Sequence, residues 1–279
     1  MAELVMDVGM HNGDDTAYYL ESGYDVVAVE ANPEKCALAA ERFASEIASG
    51  RLEILNVGIG DLEEGPLKFW VSSESAWSSF DPGVATRRWA TAIPIDVPVA
   101  SFGDLLEKYG VPLFVKLDIE GYDSLCVRQI CNGSKLSRFV SFEAGDDAAE
   151  DVKLLSEAGY RGFRCVRQND WREITLSNMR RQSWIRRFFT RFEHGSRLHA
   201  RARGLHNRAL GRRYRPRRIK GVHLTPFASG PFPWTFSGPW RSAEQTREVW
   251  EFLHALDQKI NALGAPYWEW FDIHAVLDP

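Results

Sequence analysis

Short apolar runs alternate with amphipathic stretches over about the first 165 residues of the chain. Runs of strand length cover Leu4–Val8 and residues 24–30, 51–57, 113–118, 138–143 and 160–166. Helical patterns separate most of them, most clearly residues 34–48, which begin after Pro33, and Ala148–Ala158. Strands that alternate with helices of this length predict an α/β fold with a largely parallel sheet. In such a sheet, ligands bind beyond the carboxyl ends of the strands.

The patterns outside these runs predict how the sheet is completed. Residues 67–71 and 95–99 have the length of additional edge strands. Residues 242–263 carry apolar side chains on one face and predict a long helix with Ser242 as its cap. We expect the aromatic residues 267–273 after it to return to the sheet as its last strand.

Charge divides the chain further. The net charge is −4, yet residues 180–220 contain 15 Arg and Lys against one acidic residue, which leaves 19 basic and 37 acidic residues elsewhere. We therefore predict three parts: a ligand-binding core at 1–170, an arginine-rich helical and loop insertion at 171–240, and a C-terminal helix and strand at 241–279 that complete the core. Without a membrane-spanning run, a signal peptide or a paired cysteine motif, we expect a cytoplasmic protein with reduced thiols and no structural metal.

The turn after the first strand, MDVGMHNGDDT at residues 6–16, has an unusual charge for a nucleotide site. The turn contains Gly9 and Gly13, but it lacks the dinucleotide-binding pattern G-x-G-x-x-G. In addition, Asp7 precedes the first glycine. Phosphates bind helix N-termini, where a carboxylate opposes them. S-adenosylmethionine has an ammonium group, a sulfonium and no phosphate, so an acidic turn suits it, and the glycines let the backbone approach it closely.

Glu30 ends the second strand, 17 residues after Gly13, near the spacing at which an acid binds a ribose diol. This residue alone does not separate S-adenosylmethionine from NAD, and Asp7 favours the former. The structural alternative is an ordinary tight turn followed by a solvated strand end.

Several segments together resemble one family. DVGMHNGDDT, VVAVEANP, NVGIGD, the Trp77-Ser78-Ser79 stretch and VKLDIEG are similar to the FkbM family of S-adenosylmethionine-dependent methyltransferases, and the resemblance covers roughly residues 4–167. WFDIHA at residues 270–275 is similar to some members. The resemblance implies a Rossmann-like class I methyltransferase fold with a mostly parallel seven-strand sheet. It also implies O-methylation of a hydroxyl on a sugar, glycan or polyketide-type product.

The resemblance also implies which residues bind the cofactor. Asp7, Gly9, Gly13 and Thr16 would line its methionine side, and Glu30 would hold the ribose. The full predicted set is Asp7, Gly9, His11, Asn12, Gly13, Thr16, Glu30, Ala31, Asn32, Gly58, Ile59, Asp61 and Asp118. Of these, Asn32 would border the adenosine and residues 58–61 the adenine, whereas His11 and Asn12 occupy the variable middle of the turn.

Methyl transfer to oxygen requires the acceptor to be aligned and its proton removed. Residues 118–121 (DIEG) follow the fourth strand, and we predict Asp118 and Glu120 as acceptor-facing acids. Lys116, Glu143 and His11 are further catalytic candidates. Alternatively, Asp118 caps the next helix and Glu120 has only a structural role. Asp118, Glu120 and Glu143 could together bind a divalent cation, but the sequence offers no further ligands for it, so we predict no metal.

The basic stretch leaves several partners open. It would suit an acidic or phosphorylated acceptor, and residues 183–192 (SWIRRFFTRF) would suit an anionic membrane surface. Nucleic acid is the least favoured partner, because no recognition motif accompanies the arginines. The structural alternative is a helical lobe that packs its aromatic stripe on the core. Two other functions compete with methyl transfer: an NAD-dependent sugar oxidoreductase, and a non-catalytic arginine-rich binding protein on a nucleotide-binding fold.

Overall fold

An eight-stranded sheet forms the centre of the computed structural model, which describes residues 2–60, 67–87, 89–168, 170–182, 217–224, 228–262 and 270–279. In spatial order its strands are β11 (Arg172–Ile174), β10 (Gly162–Arg167), β14 (Phe271–Val276), β9 (Phe139–Glu143), β8 (Phe114–Leu117), β1 (Leu4–Val8), β2 (Asp25–Val29) and β3 (Leu52–Leu55). Neighbours from β3 to β9 are parallel, whereas β14 is antiparallel to both β9 and β10. The predicted mostly parallel α/β sheet is confirmed, and the short β11 adds an eighth strand at its edge.

Helices pack on both faces of this sheet. In chain order the helices of the described residues are α1 (Asp14–Glu21), α2 (Pro33–Arg42), α3 (Ala44–Ala48), α4 (Pro82–Ala85), α5 (Phe102–Tyr109), α6 (Asp123–Asn132), α7 (Ala148–Ala158), α8 (Met179–Gln182) and α9 (Ala243–Ala262); α4 lies outside the main sheet. The side chain of Asn32 accepts a hydrogen bond from the Glu34 amide at the start of α2. The single helix predicted for residues 34–48 is wrong, because the backbone leaves helical geometry at Phe43 and splits it in two.

The two predicted edge strands do not join the main sheet. β5 (Leu67–Ser72) and β6 (Ala92–Val97) pair with each other in an antiparallel ladder. We call these two strands, together with the residues that connect them, the cover hairpin. Beside it, β4 (Gly58–Ile59) and β7 (Val99–Ala100) form a short parallel pair. The prediction was wrong because strand-like patterns in sequence do not reveal which strand is the partner, and each of these has its partner close in sequence.

The aromatic residues before the C-terminus return to the sheet, as predicted, from Phe271 onward; residues 263–269 lie outside the described part. All six residues of β14 are buried, as expected for a strand with neighbours on both sides. Ser242 caps α9: its hydroxyl accepts from the Gln245 amide at 3.2 Å, and the Gln245 side chain accepts from the Ser242 amide at 3.3 Å.

Two apolar clusters hold the layers together. One lies between the sheet and α5, α6, α7 and α9. The other lies under α1 and includes the segment 228–240, which we call the strap. Phe232 of the strap packs against Tyr18 and Tyr19 of α1 and Phe114 of β8, with ring centroids 4.8 to 5.9 Å apart.

β12 (Arg217–Ile219) and β13 (Val222–Leu224) form a small antiparallel pair beside α1. Most of the arginine-rich stretch, including residues 183–192, lies outside the described residues, so its membrane, nucleic-acid and packing alternatives stay predictions. Among the helices that the structure describes, none has both the length and the apolar character needed to cross a membrane.

Candidate active site

The glycine turn brings β1 against the end of β8. Gly9 has a φ of +86°, and a Cβ atom added there would lie 1.9 Å from the carbonyl oxygen of Asp118. Gly13 has a φ of +75° and begins α1, where a Cβ would lie 2.7 Å from the ring of Phe43. Both positions therefore require glycine: the backbone conformation favours it, and no space remains for a side chain.

Asp7 and Lys116 form a buried ion pair beneath this turn. The Asp7 carboxylate is fully buried, accepts a 2.5 Å hydrogen bond from the Thr16 hydroxyl, and lies 3.3 Å from the Lys116 ammonium. Lys116 also donates to the Gly9 carbonyl at 2.8 Å and lies 3.6 Å from an oxygen of Asp118. Burial alone would lower the pKa of Lys116, but the carboxylates around it raise that pKa above its ordinary value, so the ammonium stays charged.

This ion pair changes the role of Asp7. Its charge is balanced by Lys116 within the protein, and its side chain does not contribute to the neighbouring cavity. From the sequence we expected Asp7 to balance a cation on the ligand. In the structure Asp7 is paired with Lys116 and accepts the hydrogen bond of Thr16, so the two side chains stabilise the glycine turn.

A cavity of about 400 Å³ opens beyond the carboxyl ends of β1, β2, β8 and β9, where ligands bind in this type of sheet. Most of the predicted site residues line it: Gly9, His11, Asn12, Glu30, Ala31, Asn32, Gly58, Ile59, Lys116, Asp118, Glu120 and Glu143. Asp7, Gly13 and Thr16 lie behind this wall, and Asp61 is outside the described residues. The structure thus brings together residues from five separate segments of the chain.

Glu30 is held in a fixed orientation at the cavity. Its two carboxylate oxygens accept hydrogen bonds from the backbone amides of His11, at 2.8 Å, and Asn32, at 2.7 Å. Burial raises the pKa of Glu30, while these two bonds act against that shift. Asn56, which the sequence did not single out, supports this strand end by donating to the carbonyls of Glu30 and Ala31. The remaining lone pairs of Glu30 are thus directed where a diol can donate to them.

The wall next to Glu30 is largely apolar. Ile59 and Phe80 line it, and a Cβ on Gly58 would lie 2.1 Å from the ring of Phe80. His11 also lines the cavity, in a left-handed conformation with a φ of +52°. Burial, with help from Lys35 and Lys116, lowers the pKa of His11 to about 4, so its ring is neutral at physiological pH. A neutral, partly apolar wall of this kind suits a purine ring.

Carboxyl groups concentrate on the other side of the cavity. Glu120 accepts from the Arg87 guanidinium at 3.2 and 3.3 Å, and it has a φ of +47°. Burial raises the pKa of Glu120 to about 8, although Arg87 acts in the opposite direction. Burial and the neighbouring carboxylates also raise the pKa of Glu143 well above its ordinary value. Asp118 does not cap the next helix, because Tyr122 occupies that position without a side-chain cap.

Sequence reasoning missed several side chains that complete this wall. Arg87 comes from the connection of the cover hairpin, which also contributes Trp77 to the cavity, with the guanidinium 4.6 Å from the Trp77 ring. Gln168 lines the cavity and donates at 2.8 Å to Asp272, a residue 104 positions away in sequence. No periodicity or spacing connects residues that far apart. Within the described part of the chain, no group of three or more metal-ligating side chains is placed to hold a metal ion.

Comparison with known proteins gives one family. The model described as the methyltransferase FkbM domain matches residues 7–162. No curated protein matches the chain in sequence.

Similar solved structures include three methyltransferases. Methyltransferase FkbM from Methylobacillus flagellatus KT is 18% identical over 56% of this chain and 37% of its own, with a TM-score of 0.37. Precorrin-6y C5,15-methyltransferase from Geobacter metallireducens GS-15 is 14% identical over 60% and 67%, with a TM-score of 0.35. Phosphoethanolamine N-methyltransferase 2 from Haemonchus contortus, solved with S-adenosyl-L-methionine, is 11% identical over 99% and 49%, with a TM-score of 0.37.

The mostly parallel sheet, in which β14 and the edge strand β11 run antiparallel, and the cavity at its carboxyl edge are those of a Rossmann-like, class I methyltransferase. The family match spans more than half of the 279 residues, and the chain belongs to the FkbM methyltransferase family. S-adenosylmethionine is its cofactor. The cavity fits this molecule: Gly9 lines it without a side chain, Glu30 presents an oriented carboxylate for a diol, and the wall at Ile59 and Phe80 suits an aromatic ring.

Proposed function

We propose that the protein methylates a hydroxyl oxygen of a carbohydrate, glycan or secondary metabolite. The observation that carries this proposal is the position of the Glu120 carboxyl group at the cavity wall, where Arg87 donates to both of its oxygens and partial burial raises its pKa to about 8. A group that titrates near neutral pH can accept the proton of a hydroxyl as the new bond forms.

The residues around Glu120 define how the proton is handled. When bound, S-adenosylmethionine would supply a methyl group on a positively charged sulfur: the acceptor oxygen would attack the methyl carbon in line with the carbon–sulfur bond, and S-adenosylhomocysteine would leave. Arg87 holds both oxygens of Glu120, and Lys116 lies 3.6 Å from Asp118, so the two carboxylates have fixed positions at the cavity. Ionised Glu120 takes the proton of the substrate hydroxyl, while Asp118 orients that hydroxyl by accepting a hydrogen bond from it. The rate is therefore expected to rise with pH through about 8 as Glu120 ionises.

The remaining walls favour a neutral acceptor. Phe69, Trp77 and Trp270 line the cavity and offer aromatic faces against which the C–H groups of a sugar ring can pack. Seven carboxyl side chains line the cavity, and even with Glu120 and Glu143 protonated the acidic side chains outnumber the two lysines. This balance opposes a phosphorylated acceptor within the described cavity; such an acceptor would have to draw on the arginine-rich stretch at 180–220.

The charge at the start of α1 is also unfavourable for NAD. Asp14 and Asp15 occupy the first turn of that helix and line the cavity, where the pyrophosphate of a dinucleotide would lie. The family match likewise supports methyl transfer over an NAD-dependent oxidoreductase or a non-catalytic binding protein.

The test is a methyl-transfer screen. The protein and methyl-labelled S-adenosylmethionine are incubated with hydroxyl acceptors of the three classes, matched amines and matched phosphorylated sugars, and products are identified by mass. We expect label on oxygen of a neutral acceptor. We also expect Glu120→Gln to lower kcat by about 100-fold, within the range of general-base catalysis, with an exposed control, Glu107→Gln, unchanged. Label found only on nitrogen, or an unaltered kcat in Glu120→Gln, would contradict the proposal.

A further inference from the structure

Asp15 is a cavity residue whose role the reaction above does not use. It lies in the first turn of α1, it is 6% exposed, and it forms part of the cavity wall. One carboxylate oxygen accepts a 3.0 Å hydrogen bond from the backbone amide of Ser229 in the strap. The other oxygen has no hydrogen-bond partner among the described residues. A buried carboxylate oxygen without a partner is costly, so a donor supplied by a ligand would stabilise it.

The position of Asp15 restricts which ligand group that donor belongs to. Lys116, Asp7 and Asp118 are the charged groups that act on it, and all three lie around the glycine turn. Glu30, which presents the diol-binding carboxylate, is at the end of the neighbouring strand β2. Asp15 thus lies in the helical turn directly after Gly13, on the side of the glycine turn where the methionine end of the cofactor is expected.

Lys116 cannot supply the missing donor to Asp15 as it does to Asp7. Its ammonium already contacts Asp7, the Gly9 carbonyl and Asp118. Asp7, in turn, has its charge balanced by Lys116 and lies behind the wall. Of the two acids, Asp15 is the one that remains available to a cationic group in the cavity.

We propose that Asp15 binds the α-ammonium group of the methionine end of S-adenosylmethionine. An ammonium group has three donors and a full positive charge, which matches the buried carboxylate. Because the same carboxylate accepts from Ser229, the residue after cavity-lining Ala228, Asp15 connects the bound cofactor to the strap. This inference depends on the cofactor and not on the identity of the acceptor.

The acid–base behaviour of Asp15 is consistent with this role. The pKa of Asp15 is raised to about 7, chiefly by burial and also by Asp7 and Asp118, against the opposing effects of Lys116 and the Ser229 amide. An ammonium ligand binds the ionised carboxylate in preference. The affinity for a ligand with the amino group is therefore expected to increase between pH 6 and pH 8, and the affinity for a ligand without it is expected to change less.

Calorimetric titration with three ligands tests the proposal. S-adenosylhomocysteine carries the amino group and the carboxylate, its desamino analogue keeps only the carboxylate, and methylthioadenosine has neither. In Asp15→Asn, whose side-chain oxygen can still accept from Ser229, we expect the Kd of S-adenosylhomocysteine to rise about 10- to 100-fold. The Kd values of the other two ligands should change less than about threefold. Glu21→Gln, an exposed acid at the other end of α1, is the matched control and should leave all three unchanged.

Each outcome is decisive. An unchanged Kd for S-adenosylhomocysteine in Asp15→Asn would overturn the assignment, and so would equal weakening of all three ligands, which would indicate a structural role. Failure of the unaltered protein to bind S-adenosylhomocysteine would overturn it as well. A negative acceptor screen combined with the expected binding pattern would contradict the proposed function and leave this assignment supported.

Discussion

At the scale of single residues, the site depends on how each buried charge is balanced. Asp7 is balanced by Lys116, and Glu120 is held by Arg87. These pairs fix the turn and the catalytic carboxylate in place, whereas the second oxygen of Asp15 has no partner among the described residues. The distribution separates side chains that build the site from side chains that bind its ligands.

Removing Arg87 should change the titration of Glu120. Arg87 acts to lower the pKa of Glu120 from the value that burial would otherwise impose, so Arg87→Gln is expected to raise that pKa above about 8. Glutamate labelled with carbon-13 at the carboxyl group allows the titration to be followed by NMR. Arg87→Lys keeps the charge and should shift the pKa less; a pKa that falls in Arg87→Gln would contradict the ion-pair geometry.

Substitution of Gly9 should be far more damaging than its backbone angle alone implies. Gly9 and Gly23 have similar φ values, +86° and +93°, but a Cβ at Gly23 meets nothing within 4 Å. We expect Gly23→Ala to cost about 1–2 kcal/mol in the free energy of unfolding, from strain only. Gly9→Ala should cost clearly more and abolish binding of S-adenosylhomocysteine, since β1 must move away from Asp118. Denaturant unfolding and calorimetry measure the two effects, and equal costs would contradict this geometry.

At the scale of elements, the strap joins α1 to the sheet through one aromatic side chain. Phe232 is 3% exposed and packs on Tyr18, Tyr19 and Phe114. Phe232→Ala is therefore expected to lower the free energy of unfolding by about 3–5 kcal/mol. Leu38→Ala on α2, where the side chain is 55% exposed, should change it by less than about 0.5 kcal/mol. Urea denaturation compares them, and similar values for both would show that the strap is not part of the folded core.

Structural features that depend on residues close together in the chain could be predicted from the sequence. The strand and helix periodicities, the cap formed by Ser242 and the positions of Gly9 and Glu30 at strand ends all depend on residues close in sequence. Partners could not be predicted: β5 and β6 pair with each other, and Asp15 meets Ser229 over 214 residues. Such contacts are determined by tertiary packing, which produces no characteristic residue spacing in the sequence. The ion pair of Asp7 with Lys116 could not be predicted for the same reason, because Lys116 comes from another strand.

At the scale of the whole molecule, the cavity joins distant parts of the chain. Its wall includes the turn after β1, the ends of β8 and β9, the cover hairpin, Ala228 and Trp270. A ligand bound there should therefore stabilise the entire fold. At about 100 times its Kd, S-adenosylhomocysteine is expected to add about 2.7 kcal/mol to the free energy of unfolding and to raise Tm by several degrees.

Thermal unfolding at increasing ligand concentration checks this expectation. The transition should stay single and shift as a unit. Two transitions, of which only one responds to the ligand, would show that the cavity belongs to a part of the molecule that folds on its own.

The place of β14 has a consequence for synthesis on the ribosome. β14 lies between β9 and β10, although both are translated long before it. Until residues 271–276 have emerged, the nascent chain keeps two buried-type strand edges open at the middle of its sheet, where other chains can pair with them. The two parts of this sheet are thus joined only when β14 is added, and we expect the growing polypeptide to need protection from such pairing until then.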